Sequence, residues 1–246
     1  MNAIETNGLT KQFKNRTAVD HLDLSVRQGE LLALLGANGA GKTTTIRMLC
    51  GLLTPTAGDA LLLGHSLARE PEQVKQLLNV SPQETAVASK LTVRENLELI
   101  ARLYGATRAQ AAQKTEEALQ TFHLADRAKD YARTLSGGLQ RRLSIAMALM
   151  SGPQILFLDE PTLGLDVRAR RELWRFIETL KGRVTVILTT HYLEEARALA
   201  DRIAILNAGR LQALGTAEEL EQAAGTQDFE EAFLRLTGEE GPSCGC

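Results

Sequence analysis

Roughly the first sixty residues carry short apolar runs broken by turns: IETNGLTKQF, LDLSV, LLALLG and, after the TPTAGD turn, ALLLG. That pattern predicts strands. Between LLALLG and TPTAGD, the segment KTTTIRMLCGLL sets Ile46, Leu49 and Leu53 at helical spacing. From Thr92 the period lengthens. Thr92 and Glu95 in TVRE form a capping box, Leu97, Ile100, Leu103 and Tyr104 mark the expected apolar face, and Gly105 stops the helix. A second amphipathic stretch runs from about Arg108 to Leu124, and a third places Leu139, Leu143, Ala146, Met147 and Met150 behind an SGG. Three helices with no strand between them read as an insertion over roughly residues 84–150. The runs ILFLD and VTVIL are nearly all apolar, as a parallel sheet buried on both faces requires, while RIAIL and RLQALG are close enough to pair as a hairpin. DFEEAFLRLTG predicts one short helix before a flexible C-terminal end. The expected fold class is α/β, a core with an inserted helical subdomain. One domain is expected over residues 1–225, with a short helix and tail over 226–246.

Composition narrows the function classes. The 246 residues carry 28 Lys and Arg against 30 Asp and Glu, so no concentrated basic excess announces a nucleic-acid footprint. No nucleic-acid partner is expected. The N-terminus MNAIETNGLTKQF lacks the basic-then-apolar pattern of a secretory signal, and no apolar run approaches a membrane span, which together predict folding in the cytosol. Cys50 falls in an apolar helical run and reads as core; Cys244 and Cys246 could chelate a soft metal or simply belong to a frayed end.

The chemistry starts at GANGAGKTT. Gly36, Gly41, Lys42 and Thr43 satisfy G-x-x-x-x-G-K-[ST], and with Gly39 they let backbone N–H groups wrap phosphate oxygens at a helix N-terminus. Lys42 adds a point charge, and the Thr43 hydroxyl is placed for Mg²⁺. Asp159 closes ILFLD at the carboxyl edge of the sheet, where ligands of open α/β folds lie, and is the second expected metal holder. Glu160 follows it, placed to orient or deprotonate the attacking water. His191 ends the VTVILTT run at the same edge and can donate to a γ-phosphate, whereas His21, His65 and His123 read as structural. Gln83 precedes the helical insertion and could bind Mg²⁺ or the water while reporting occupancy to those helices. Ser136, Gly137 and Gly138 open a helix. They are either a plain N-cap or a second anion cradle, and a second cradle has no ligand of its own unless it grips the γ-phosphate of a nucleotide held by another copy.

These residues resemble the nucleotide-binding subunits of ATP-binding cassette (ABC) transporters. GANGAGKTT looks like the Walker A loop, PQ at 82–83 the Q-loop, LSGGL at 135–139 the signature, ILFLDEP at 155–161 the Walker B motif, PTLGLD at 161–166 the D-loop and TTH at 189–191 the switch loop. The resemblance implies a RecA-like core with an N-terminal antiparallel β subdomain. It also implies ATP contacts from Asn38, Ala40 and Thr44 in the P-loop, from Phe13 stacking on the base with Val19 beside it, and from Asp166 at a dimer interface. Leu139 stands where the family usually has Gln, and Leu163 where its D-loop has a small or amide residue. The phrase TTHYLEEA and the FEEAFLRLTG end are similar to the exporter subgroup with a separate permease. The implied function is ATP hydrolysis by a head-to-tail dimer driving export through a membrane partner, with the chain peripheral on the cytoplasmic face of the cell membrane. A cassette ATPase acting on ribosomes or DNA, and an importer ATPase, are the alternatives.

Overall fold

A computed structural model describes residues 1–238. Strand β1 (Asn2–Phe13) is joined by a tight turn to β2 (Arg16–Leu22), and β3 (Ser25–Arg27) returns along β1. The LDLSV run is therefore not one strand: Leu22 ends β2, Asp23 and Leu24 form a break, and Asp23 Oδ1 accepts from Gly8 N at 2.6 Å across it. Strand β2 itself was not expected, because RTAVDHL mixes charged and apolar residues without a clean period. The next elements are β4 (Leu31–Leu35), α1 (Lys42–Leu49), β5 (Ala57–Leu62), β6 (His65–Ser66), α2 (Pro71–Leu77) and β7 (Leu78–Ser81). Helix α2, headed by Pro71 in its first turn, also escaped the apolar pattern because Val74 is its one buried residue.

Between β7 and the next strand lie α3 (Val93–Leu103), α4 (Arg108–Thr121) and α5 (Gly137–Leu149). The Thr92–Glu95 capping box is present, but α3 turns differently from expectation: Leu97 and Ala101 are buried while Leu103 and Tyr104 are 71% and 59% exposed. Val93, Leu97 and Ala101 share one face at i, i+4 and i+8, and that face meets the core. Helix α4 ends at Thr121, three residues short of Leu124, although Phe122 and Leu124 remain buried beyond it.

The chain then alternates: β8 (Ile155–Asp159), α6 (Val167–Glu178), β9 (Thr185–Thr190), α7 (Leu193–Leu199), β10 (Arg202–Asn207) and β11 (Arg210–Gly215), followed by α8 (Ala217–Ala224) and α9 (Phe229–Thr237). The described chain ends at Gly238 in a left-handed cap of α9. The Cys244 and Cys246 pair and the expected C-terminal tail lie outside the described residues.

Two sheets result. The N-terminal one runs β2-β1-β5-β6, with β3 also on β1, and its pairings are antiparallel. The larger runs β11-β10-β4-β9-β8-β7; β11 is antiparallel and the rest are parallel. The period of two sorts the side chains of its central strands. Leu32, Leu34, Ile155, Phe157, Ile187, Ala204 and Leu206 join Met48 and Leu49 of α1 and the N-terminal sheet in one core. Leu31, Leu156, Leu158, Val186 and Leu188 face the opposite way, against α3 to α6. Burial on both faces explains why LLALL and ILFLD contain no alternating polar residue. It also sets the carboxyl ends of β4, β8 and β9 side by side: Asp159 pairs with Thr189, and Leu35 with Thr190.

Candidate functional site

At that edge the chain from β4 into α1 makes a close turn. Gly36 leaves no room for a side chain, since a Cβ there would stand 2.3 Å from the Leu206 carbonyl. Gly41, at φ 104°, lies against the Ala18 carbonyl, which a Cβ would approach to 2.6 Å. The two glycines therefore let the loop press onto β10 and β2. Ala40 is buried beneath it.

A cleft of about 450 Å³ opens over this loop, lined among others by Phe13, Asn38, Gly39, Gly41, Lys42, Thr43, Thr44, Gln83, Glu160 and His191. Those residues come from β1, the loop into α1, the segment after β7, the end of β8 and the end of β9, so the fold collects them from distant parts of the sequence. Phe13 is 46% exposed, with Lys11 Nζ at 5.3 Å from its ring centre, and offers a free aromatic face. Val19, expected beside it, is 1% exposed and turned under the P-loop; strand alternation puts its neighbour Ala18 on the cleft wall instead.

Lys42 lines the cleft floor and is otherwise buried. Its Nζ donates to the Gly36 carbonyl at 2.6 Å and the Ala37 carbonyl at 3.1 Å, and stands 3.5 Å from Glu160 Oε1. Burial lowers its pKa, with Glu160 and Asp159 pulling it back up. Thr43 Oγ1 donates to Asp159 Oδ1 at 3.2 Å, and Thr189 Oγ1 donates to the same oxygen at 2.6 Å. The hydroxyl and carboxylate expected at Mg²⁺ are thus adjacent, and the glycine-lined turn above them has the open backbone that phosphate requires. This donor set fits a magnesium nucleotide.

Glu160 occupies a left-handed backbone position at φ 47°, unusual for a residue with a side chain and costing on the order of 1 kcal/mol. Its N–H donates to Thr189 Oγ1 at 2.9 Å, which holds the turn in place. The carboxylate then reaches both ways, to Lys42 and, through Oε2, to His191 Nδ1 at 2.7 Å. His191 lies against the Tyr192 ring, centroids 4.1 Å apart.

Other expected residues stand apart. Ser136 caps α5 by accepting from Leu139 N, and Gly137 and Gly138 follow it, but none of the three lines the cleft of its own chain. Gly138 has a packing reason as well: a Cβ there would meet Ala169 Cβ at 3.0 Å, so α5 and α6 approach closely at their N-termini. Asp166 caps α6 by accepting from Ala169 N at 2.9 Å. Leu163 is 42% exposed and lines the cleft.

Sequence reasoning missed three residues behind the cleft. Thr189, fully buried, orients both Asp159 and the Glu160 amide. Arg141, 3% exposed on α5, sends its guanidinium to the backbone of the Pro82–Gln83 and Asp159–Pro161 segments. Its signal was present: Arg141 shares a helix face with Ser144, Ile145 and Ala148, all buried. The third is Glu195 on α7, fully buried, whose Oε1 accepts from Trp174 Nε1 at 2.9 Å.

Burial pushes the Glu195 carboxyl above its usual range, against the nearby hydroxyls of Thr190 and Thr162 and the Trp174 indole N–H, and the field of Glu160 adds to the rise. A folded-state pKa above the unfolded one means that the folded chain holds this proton more tightly. The stabilisation is complete below the ordinary glutamate pKa and is lost as pH climbs through the raised value. Glu195→Gln, which keeps an acceptor for Trp174 and cannot ionise, is therefore expected to lose less stability than wild type between pH 5 and pH 8. Glu195→Ala, which strands the partly buried indole N–H, is expected to lose about 1–3 kcal/mol. Chemical denaturation at the two pH values checks both.

The ABC transporter family model matches residues 19–163. Over 225 residues the chain is 45% identical to the daunorubicin/doxorubicin resistance ATP-binding protein DrrA of Streptomyces peucetius, covering 91% of this chain and 68% of that one. It is 40% identical over 226 residues to the phospholipid-transporting ATPase ABCA3 of Homo sapiens, covering 90% of this chain but 13% of that protein. A solved ATP-binding subunit of an ABC transporter superposes with a TM-score of 0.82 at 30% identity, covering 96% of this chain and 99% of the other.

Proposed function

The chain belongs to the ATP-binding subunits of the ABC transporter family, which are ATPases, and from that premise we propose that it hydrolyses ATP as a head-to-tail dimer to drive export through a separate membrane permease. One observation carries the proposal. The cleft gathers a P-loop, Glu160 and His191, yet the capped N-terminus of α5 with its Ser136–Gly138 amides lies outside it, where a second copy can reach it.

In this reading the P-loop amides and Lys42 hold the phosphates while Phe13 stacks on the base. Thr43, Asp159 and Gln83 would hold Mg²⁺, which supplies charge neutralisation to the phosphate oxygens. Glu160 takes the role of orienting water and accepting its proton, held at its post by the Thr189 hydroxyl and amide turn. His191, already on the Glu160 carboxylate, has a ring nitrogen left to sense the γ-phosphate of the same nucleotide. Ser136, Gly137 and Gly138 of one copy would close the site of the other, with Asp166 at their common interface. ATP then joins the copies, and loss of phosphate releases them.

No helix among the described residues is long and apolar enough to cross a membrane, so transport requires a partner that does. The relatives named for anthracycline resistance and phospholipid transport favour an amphipathic cargo and export, with this chain on the cytoplasmic face of the membrane. Co-expression with a candidate membrane permease tests this. ATP-dependent recovery of the chain with permease-containing membranes is expected, and recovery only with ribosomes would favour the soluble alternative.

A further inference from the structure

The guanidinium of Arg141 is buried without a carboxylate at hydrogen-bond distance among the described residues. Instead it addresses carbonyl oxygens on two separate segments. Nη1 donates to the carbonyls of Pro82 and of Gln83, the latter at 3.2 Å; Nη2 donates to the Asp159 carbonyl at 2.7 Å and Nε to the Pro161 carbonyl at 3.0 Å. One planar fork thus holds the backbone of Gln83 and the backbone on both sides of Glu160. Burial lowers its pKa to about 10, and the fields of Asp159 and Glu195 favour its charge, so it remains a cation at neutral pH.

The helix that carries Arg141 is stapled to β7 at two further levels. Ser144 and Ser81 share a hydrogen bond at 3.2 Å, and Asn79 Nδ2 donates to the Ala148 carbonyl at 2.9 Å. Helix α5 and the strand leading to Gln83 are therefore one body over about two turns. At the N-terminus of that body stand Ser136, Gly137 and Gly138.

We propose that Arg141 is a positioning residue that links the two nucleotide sites of the dimer: it makes the setting of Gln83 and Glu160 in one site depend on whether the same chain's Ser136–Gly138 cradle has engaged the nucleotide of the partner. The proposal rests on the head-to-tail dimer put forward above. Its physical basis is short. The cradle and Arg141 lie about one turn apart on one helix, at a rise of about 1.5 Å per residue. A shift of that helix on meeting a phosphate is passed by the rigid fork to both catalytic segments together, whereas without the fork only the β7 side follows. Misplacement of a catalytic group by about 1 Å is enough to cost about a hundredfold in rate.

Two variants test this. Arg141→Lys keeps the charge, but a single ammonium cannot span both segments; Arg141→Gln removes the charge, so that no uncompensated cation is left buried if the site adjusts. Steady-state ATP hydrolysis is measured against ATP concentration, alongside ATP-driven dimerisation of each substitution combined with Glu160→Gln. Wild type is expected to show a Hill coefficient approaching 2 for two linked sites. Both Arg141 variants are expected to fall towards 1 and to lose about tenfold to a hundredfold in kcat, with KM for ATP within about threefold and the ATP-dependent dimer retained. A purely structural role would instead move thermal stability and ATP binding together, and wild-type kcat and Hill coefficient in the Lys variant would overturn the proposal. Failure of Glu160→Gln alone to dimerise with ATP would count against the dimer itself, a result distinct from dimers that form normally and show no effect of Arg141.

Discussion

Glu160→Gln is expected to bind ATP and keep it, with hydrolysis lowered by about 10²- to 10⁴-fold, the range associated with loss of a general base. The substitution preserves the shape of the turn at φ 47° and its amide bond to Thr189, as well as an acceptor or donor for His191. What disappears is the negative charge at the cleft floor, 3.5 Å from Lys42. Without that charge the water loses its proton acceptor, while the attraction between Lys42 and phosphate loses a competitor. Binding is therefore expected to hold or tighten as turnover stops, and the chain is expected to sediment as a dimer with ATP and as a monomer with ADP. A hydrolysis rate within a few-fold of wild type would remove Glu160 from this role.

Lys42→Ala is expected to fail earlier, at binding. The buried ammonium holds the Gly36 and Ala37 carbonyls and faces Glu160, and those carbonyl bonds are the ones that phosphate oxygens can replace. Its removal takes a charge-assisted interaction from the nucleotide and leaves Glu160, 8% exposed, without its cation. Losing a hydrogen bond to a charged group at about 3 kcal/mol corresponds to more than a hundredfold in ATP affinity. Calorimetric titration checks this, and an affinity within threefold of wild type would contradict it.

Much of this was legible in the chain. The P-loop, the paired acids after ILFLD and the histidine after VTVILTT each follow an apolar run, and parallel strands bring their ends to one edge. Local motifs plus one rule of α/β topology were sufficient. Less legible was whatever depended on which side of an element faces inward. Val19 and Ala18 are adjacent in sequence, and only the register of β2 decides that Ala18 meets the cleft. Leu103 and Tyr104 extend the apolar pattern of α3, yet its face is set by Val93, Leu97 and Ala101, and the last turn projects beyond the core. Arg141 and Glu195 were hidden for another reason. Charged residues in helices are usually solvated; the buried helix face that Arg141 shares with Ser144 and Ala148 is a signal of burial, but the backbone carbonyls and the indole that pair with the two side chains are not revealed by spacing. The glycine pair after Ser136 fits a cap or an anion cradle in the sequence, and the closeness of Ala169 supplies a further cause that only packing shows.

The proposed dimer requires that one chain does not complete its own site and that the Ser136–Gly138 cradle of a second copy closes it. ATP turnover per chain, measured across a thousandfold range of protein concentration at saturating ATP, addresses this directly. The per-chain rate is expected to fall steeply on dilution, in step with loss of the dimer seen in sedimentation. A rate that stays constant per chain down to concentrations at which only monomer sediments would contradict the account.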